Sequence, residues 1–101
     1  MDVTTFNALA DPRRLQIVEL LRERARSVNE VALLLQLRQP QASKHLHTLA
    51  EAGLVTVRPI AQQRIYALKP EPFLQLEDWA NSFQQYWGKR LDSLESHLKK
   101  G

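Results

Sequence analysis

The sequence predicts a mostly helical fold carrying one small β-hairpin, and two observations predict it. Apolar residues recur at intervals of three and four through segments that open on a capping residue or a proline. Between Leu54 and Tyr66 the interval shortens to two. A chain of 101 residues with 44% hydrophobic content has single-domain size, so residues 1–101 are expected to share one core. A domain this small buries only about two-thirds of its unfolded surface, so a large leftover apolar face favours a partner.

The elements follow in order. Phe6 and Leu9 mark one or two turns of a first helix, interrupted by Asp11-Pro12. Asp11 suits the cap of the next helix and Pro12 its first turn, where a missing N–H costs nothing. Leu15, Ile17, Val18 and Leu21 then give the buried stripe of a helix over about 12–24, ended by the run Arg22-Glu23-Arg24-Ala25-Arg26. Ser27-Val28-Asn29-Glu30 has the form of a capping box, so a short helix starts at Val28 with Val31, Leu34 and Leu35 inward. It runs to about Leu35. After about four connecting residues Pro40 opens a longer helix whose inward stripe is Ala42, Leu46 and Leu49, and Gly53 fits its left-handed stop. Val55 and Val57, then Ile65 and Tyr66, form a hairpin around Pro59-Ile60-Ala61-Gln62-Gln63, with Pro59 confining the first strand to an edge. Pro70 and Pro72 introduce a long last helix from about Glu71 to Lys99. Its apolar residues Phe73, Leu76, Trp79, Phe83, Tyr86, Trp87, Leu91, Leu94 and Leu98 step mostly by three and four.

Composition excludes several chemistries. There is no cysteine, hence no disulfide, thiolate metal site or cysteine nucleophile. No apolar run approaches the roughly 18 residues of a membrane span, and the first residues lack the pattern of a signal peptide, so a cytoplasmic protein without membrane contact is expected. The net charge of +3 is unevenly distributed. Residues 1–37 hold five arginines against five acids, and residues 71–101 hold four cations against five acids. Residues 38–70 hold Arg38, Lys44, Arg58, Arg64 and Lys69 against Glu51 alone, for +4. A basic segment of this kind is the footprint expected where phosphates are approached, and equally that of a solvated basic face.

Helix, helix, short helix, longer helix, strand, strand, long helix is the order of a winged helix-turn-helix. The short helix braces the longer one over about 40–52, whose outer face fits the major groove of double-stranded DNA. From Pro40 to Thr48 the outward residues are Gln41, Ser43, Lys44, His45, His47 and Thr48, all able to hydrogen-bond base edges or phosphates, with no acid before Glu51. The candidate DNA contacts are Gln39, Gln41, Ser43, Lys44, His47 and Thr48 on this helix and Arg58, Gln63 and Arg64 on the wing over about 55–68. The face made by Leu76, Trp79, Phe83, Trp87, Leu91 and Leu94 is too large for a monomer to leave wet, which points to a homodimer.

Leu9-Ala10-Asp11-Pro12-Arg13-Arg14-Leu15-Gln16-Ile17 resembles the opening signature of the ArsR family of winged-helix repressors. Gln41-Ala42-Ser43-Lys44-His45-Leu46-His47-Thr48-Leu49, followed by Ala52-Gly53-Leu54-Val55, resembles its recognition helix and the entry to its wing. The likeness extends from about Phe6 to Leu98, and one departure is Arg13, where the family usually has Thr. The resemblance implies a homodimeric repressor whose first and last helices form the interface, here Phe6, Leu9, Phe83, Trp87, Leu91, Leu94 and Leu98. It also implies two recognition helices in successive major grooves of a pseudo-palindromic operator, its half-sites about 34 Å apart or a multiple of that.

Many members of that family sense metals through cysteines on the bracing helix or acid and histidine pairs on the last one. Here the bracing helix reads Val31-Ala32-Leu33-Leu34-Leu35, and the last helix offers His97 with Asp92 and Glu95 but no second imidazole. His45 and His47, two apart, point to different sides of a helix and cannot chelate together. No metal or cofactor is therefore expected, and His45 reads as structural or phosphate-directed. The aromatic last helix resembles a cysteine-free branch of autorepressors and regulators of neighbouring genes, whose members answer to a protein, to a small-molecule inducer or to no ligand. An enzyme is not expected, since three glycines leave no phosphate loop and Ser43/His47 lacks an orienting acid. The rival function is a winged-helix module that docks proteins without reading DNA sequence.

Overall fold

A computed structural model describes residues 3–100, the side chains at 93, 96, 97, 99 and 100 excepted. Helix α1 spans Val3–Leu9, α2 Pro12–Glu23, α3 Val28–Leu35, α4 Gln39–Glu51 and α5 Pro70–Lys100. Strand β1 is Arg26–Ser27, β2 Val55–Ile60 and β3 Gln63–Leu68, in one antiparallel sheet of order β1-β3-β2. This is the winged helix-turn-helix order expected.

Local chemistry sets the helix boundaries. The Asp11 carboxylate accepts from the backbone N–H groups of Arg13 and Arg14 at 2.9 and 3.0 Å, opening α2. Ser27 Oγ accepts from Glu30 N at 3.1 Å while Glu30 Oε1 accepts from Ser27 N at 3.2 Å, the reciprocal box that opens α3. Both helices of the helix-turn-helix close in the same way. At the end of α3, Gln36 N donates to Leu33 O and Leu37 N to Ala32 O. At the end of α4, Gly53 N donates to Ala50 O and Leu54 N to Leu49 O. The closing residues are left-handed, Gln36 at φ 55° and Gly53 at φ 78°.

The core lies between α2, α3, α4 and the sheet. Ile17, Val31, Leu46, Leu49 and Leu54 are its largest fully buried side chains, joined by Val18, Leu21, Ala42 and Tyr66. Two inward assignments are corrected. Leu15 and Leu34 are about half exposed, because Ile17, Val18 and Leu21 already fill the inner face of α2, and Ala32 beside Val31 fills that of α3. The hairpin is also longer than expected, since β2 continues through Pro59 to Ile60 and only Ala61-Gln62 form the loop. Pro59 is tolerated there because β2 is an edge strand. β1 was not foreseen. It pairs Arg26 with Tyr66 and Ser27 with Ile65, tying the wing to the start of α3. The buried Arg26 anchors β1 to the end of α2, donating to Leu20 O at 3.3 Å and pairing with Glu23 at 2.8 Å.

Helix α5 leaves the body. Phe73 packs against the core and Leu76 is half-buried, but Trp79, Phe83, Tyr86, Trp87, Leu91, Leu94 and Leu98 are all exposed. Its 31 residues make a rod of about 46 Å at the usual rise per residue. The radius of gyration is accordingly 18.9 Å, against about 13 Å for a compact domain of this length. Helix α1 lies alongside its start, where the rings of Phe6 and Trp79 meet edge to face at 5.4 Å and those of Trp79 and Phe83 at 5.2 Å. Leu9 packs against the core of its own chain.

Candidate nucleic-acid interface

Three side chains orient α4. Ala42, Leu46 and Leu49 are fully buried, and because they repeat at three and four they prevent rotation about the helix axis. Gln39, Gln41, Ser43, Lys44 and His47 are therefore held at the surface, with Thr48 half-buried beside them. Gln41 has a second task, since its Oε1 accepts from the backbone N–H of Arg38 at 3.2 Å and helps cap the helix. Thr48 Oγ1 donates to Lys44 O at 3.1 Å. The expectation that His47 lacks an orienting acid is corrected: its Nε2 lies 3.0 Å from Glu51 Oε1, so the one acid of this helix engages the histidine one turn before it.

The outward placement expected of His45 is corrected. His45 is half-buried, and its Nδ1 lies 3.5 Å from Arg14 Nη1. A guanidinium carries only donors, so in this contact the ring nitrogen can take part only as the acceptor. The same guanidinium donates to Ala8 O and Asn7 O at the end of α1 and lies 4.0 Å from Asp11. One arginine thus joins α1, the cap of α2 and the recognition helix.

On the wing, Arg58 stands opposite Ile65 and Arg64 opposite Pro59 in the β2/β3 ladder, and Arg58, Gln63 and Arg64 are exposed. The ion pairs divide the molecule. Arg14, Arg22, Arg24 and Arg26 all pair with acids of the first 37 residues. Among the described residues Arg38, Lys44, Arg58, Arg64 and Lys69 pair with none. The +4 segment read from the sequence is therefore an uncompensated positive surface around α4 and the wing. Low-lying, unpaired cations beside hydrogen-bonding side chains attract phosphates and leave the donors free for base edges.

Two residues that the sequence did not single out, Asn29 and Gln62, line a cleft together with Gln39, Ser43, Gln63 and Arg64. Neither carries charge, and only the tertiary fold brings them beside α4. Among the described residues no three histidine, aspartate or glutamate side chains converge as metal ligands, and no helix is long and apolar enough to cross a membrane. The side chain of His97 lies outside the described residues.

Residues 11–57 match the family model described as bacterial regulatory protein, arsR family. The chain is also 35% identical over 86 residues to the HTH-type transcriptional regulator Rv2034 of Mycobacterium tuberculosis, covering 85% of this chain and 78% of that protein. The chain belongs to the ArsR family. A crystal structure of an ArsR family transcriptional regulator, RHA00566, matches with a TM-score of 0.74 at 30% identity, over 84% of this chain and 88% of that one. The homodimeric winged helix-turn-helix DNA-binding domain of Mb0332 from Mycobacterium bovis, solved in solution, matches with a TM-score of 0.69 at 29% identity, over 82% and 77%. ArsR-family proteins are DNA-binding transcriptional regulators and not enzymes, and this chain carries their winged-helix DNA-binding fold.

Proposed function

We propose that the protein is a homodimeric repressor that binds a pseudo-palindromic operator in double-stranded DNA and blocks transcription by occupying it. In this reading residues 1–101 act as a single winged-helix unit, and its DNA target sets it in the cytoplasm. α4 enters the major groove, where Gln39, Gln41, Ser43, Lys44, His47 and Thr48 meet base edges and adjoining phosphates. Arg58, Gln63 and Arg64 of the wing meet the flanking backbone or minor groove. Phe6, Leu9, Phe83, Trp87, Leu91, Leu94 and Leu98 contribute to the face between the protomers.

The observation that carries this reading is the two-sided character of α4. One side is seated without exposure on Ala42, Leu46 and Leu49, and the other presents donors among cations that no acid neutralises. Dimerisation is supported by the exposed aromatic face of α5 and by the homodimeric state named for the Mb0332 domain.

The test compares two substitutions on an operator duplex and on random DNA. Gln41→Ala removes a base-directed amide, and affinity for the operator falls by about 1–3 kcal/mol while random DNA is little affected. Arg64→Ala weakens both alike and reduces the salt dependence. Equal losses on both DNAs for Gln41→Ala overturn its assignment as a reader of sequence.

A further inference from the structure

A cleft of about 280 Å³ opens between the first turns of α3 and α4 and the tip of the hairpin. Asn29, Gln39, Ser43, Gln62, Gln63 and Arg64 face it from three separate elements. All six are exposed, and none uses its side chain in a hydrogen bond or ion pair among the described residues. No acid lines the cleft. Glu30, the nearest acid in sequence to Asn29, is held at Ser27 N and by Arg24 at 3.2 Å each.

The chemistry of the lining selects its occupant. Four amides and a hydroxyl supply neutral donors, and Arg64 supplies one positive charge. There is no anionic ligand for a metal ion, little apolar surface for a lipid chain, and one cation for one negative charge. That combination suits a monoanionic phosphodiester. The cleft is also preorganised. Ser27 of β1 stands opposite Ile65 of β3, next to Arg64, so the tip half of β3 is tied to the opening of α3.

We propose that this cleft seats one phosphodiester of the operator strand that passes between the recognition helix and the wing, with Asn29 and Gln62 as positioning residues that set how α4 sits in the groove. The proposal rests on the DNA-binding reading above and names two further residues within it. Phosphate contacts position a protein without reading sequence, so both residues act alike on every DNA.

A duplex enriched by the protein itself from a random pool is prepared as a series, each member carrying one uncharged methylphosphonate in place of one phosphate. Affinities are measured for the native protein and for the Asn29→Ala/Gln62→Ala variant. At one symmetry-related pair of positions the replacement weakens the native protein about tenfold. The same replacement weakens the double variant distinctly less, about threefold, because the Asn29 and Gln62 contacts are already gone while Arg64 still faces the site. Asn29→Asp, which sets a negative charge against the phosphate, binds more weakly than Asn29→Ala on operator and random DNA alike, although its carboxylate at the first turn of α3 leaves it melting no lower than Asn29→Ala. Full, additive losses at every phosphate in the double variant overturn the cleft assignment and leave the DNA-binding reading standing. Failure of the native protein to enrich or bind any duplex overturns both.

Discussion

Replacing Trp87 by alanine tests the role of the last helix most severely. Trp87 lies on the exposed face of α5 with 53% of its surface accessible and its ring edge-to-face with Tyr86 at 5.1 Å. With about 200 Å² for a large aromatic side chain, roughly 100 Å² of mostly apolar surface per protomer is left to be covered. A symmetric dimer covers it twice, and at about 25 cal/mol/Å² the pair contributes at most about 5 kcal/mol to association. The dissociation constant of Trp87→Ala should then rise by up to about three and a half orders of magnitude. Sedimentation velocity across a concentration series reads this directly, with the native protein dimeric and the variant dissociating in the micromolar range. Because the residue contacts little of its own core, the far-ultraviolet circular dichroism of the variant should be unchanged. Binding to a duplex with two half-sites should weaken with the loss of the dimer, while binding to one half-site should not. A variant that remains as tightly dimeric as the native protein would refute the assignment of this face.

Three further outcomes follow from the same geometry. Leu46→Ala empties a fully buried site beneath the recognition helix and should cost about 2–5 kcal/mol in urea unfolding; a loss below that range would mean the core closes around the gap. Gly53→Ala meets no atom within 4 Å of the added methyl, yet the residue sits at φ +78°, so the expected loss of about 1 kcal/mol is a backbone effect alone, and an unchanged stability would contradict it. The Asp11 carboxyl is held below its ordinary value of 3.8, chiefly by the backbone N–H of Arg14 and then that of Arg13. A depressed carboxyl adds stability above its unfolded pKa and loses it as pH falls through the folded one. Asp11→Ala should therefore melt lower than the native protein near neutrality, with the gap closing below about pH 3.8; a gap independent of pH would exclude the carboxylate as its source.

The sequence revealed most where structure is decided by neighbouring residues. Asp11, the Ser27/Glu30 pair, Pro40 and Gly53 mark helix ends through contacts spanning a few residues, so the bracing and recognition helices could be read within one residue at most boundaries. What depended on the tertiary fold was not legible. β1 is two residues long and exists only because Tyr66 and Ile65 lie opposite it. The hairpin loop carries no glycine or asparagine signal, since Ala61 adopts φ 55° in its place, so the pattern predicts strands shorter than those that form. Periodicity showed that α2 and α3 have an apolar side but did not rank its members, so Leu15 and Leu34 were placed inward.

The interface divides along the same line. Its charge was visible as the unbalanced cations of residues 38–70, and the outward face of α4 followed from the spacing of Ala42, Leu46 and Leu49. The inward turn of His45 onto Arg14, the engagement of His47 by Glu51 and the approach of Asn29 and Gln62 to Ser43 each join separate elements or specific side-chain conformations. Only the His47/Glu51 pair, four residues apart on one helix, has a spacing in the sequence behind it.

The most direct measurement is the affinity of the native protein for the duplex upstream of its own gene and for random DNA, each at two salt concentrations. A sequence-reading repressor should bind the upstream duplex at least about a thousandfold more tightly than random DNA, and raising the salt should weaken both. Equal affinity for the two DNAs, or binding indifferent to salt, would contradict the assignment of α4 and the wing as an operator-reading surface.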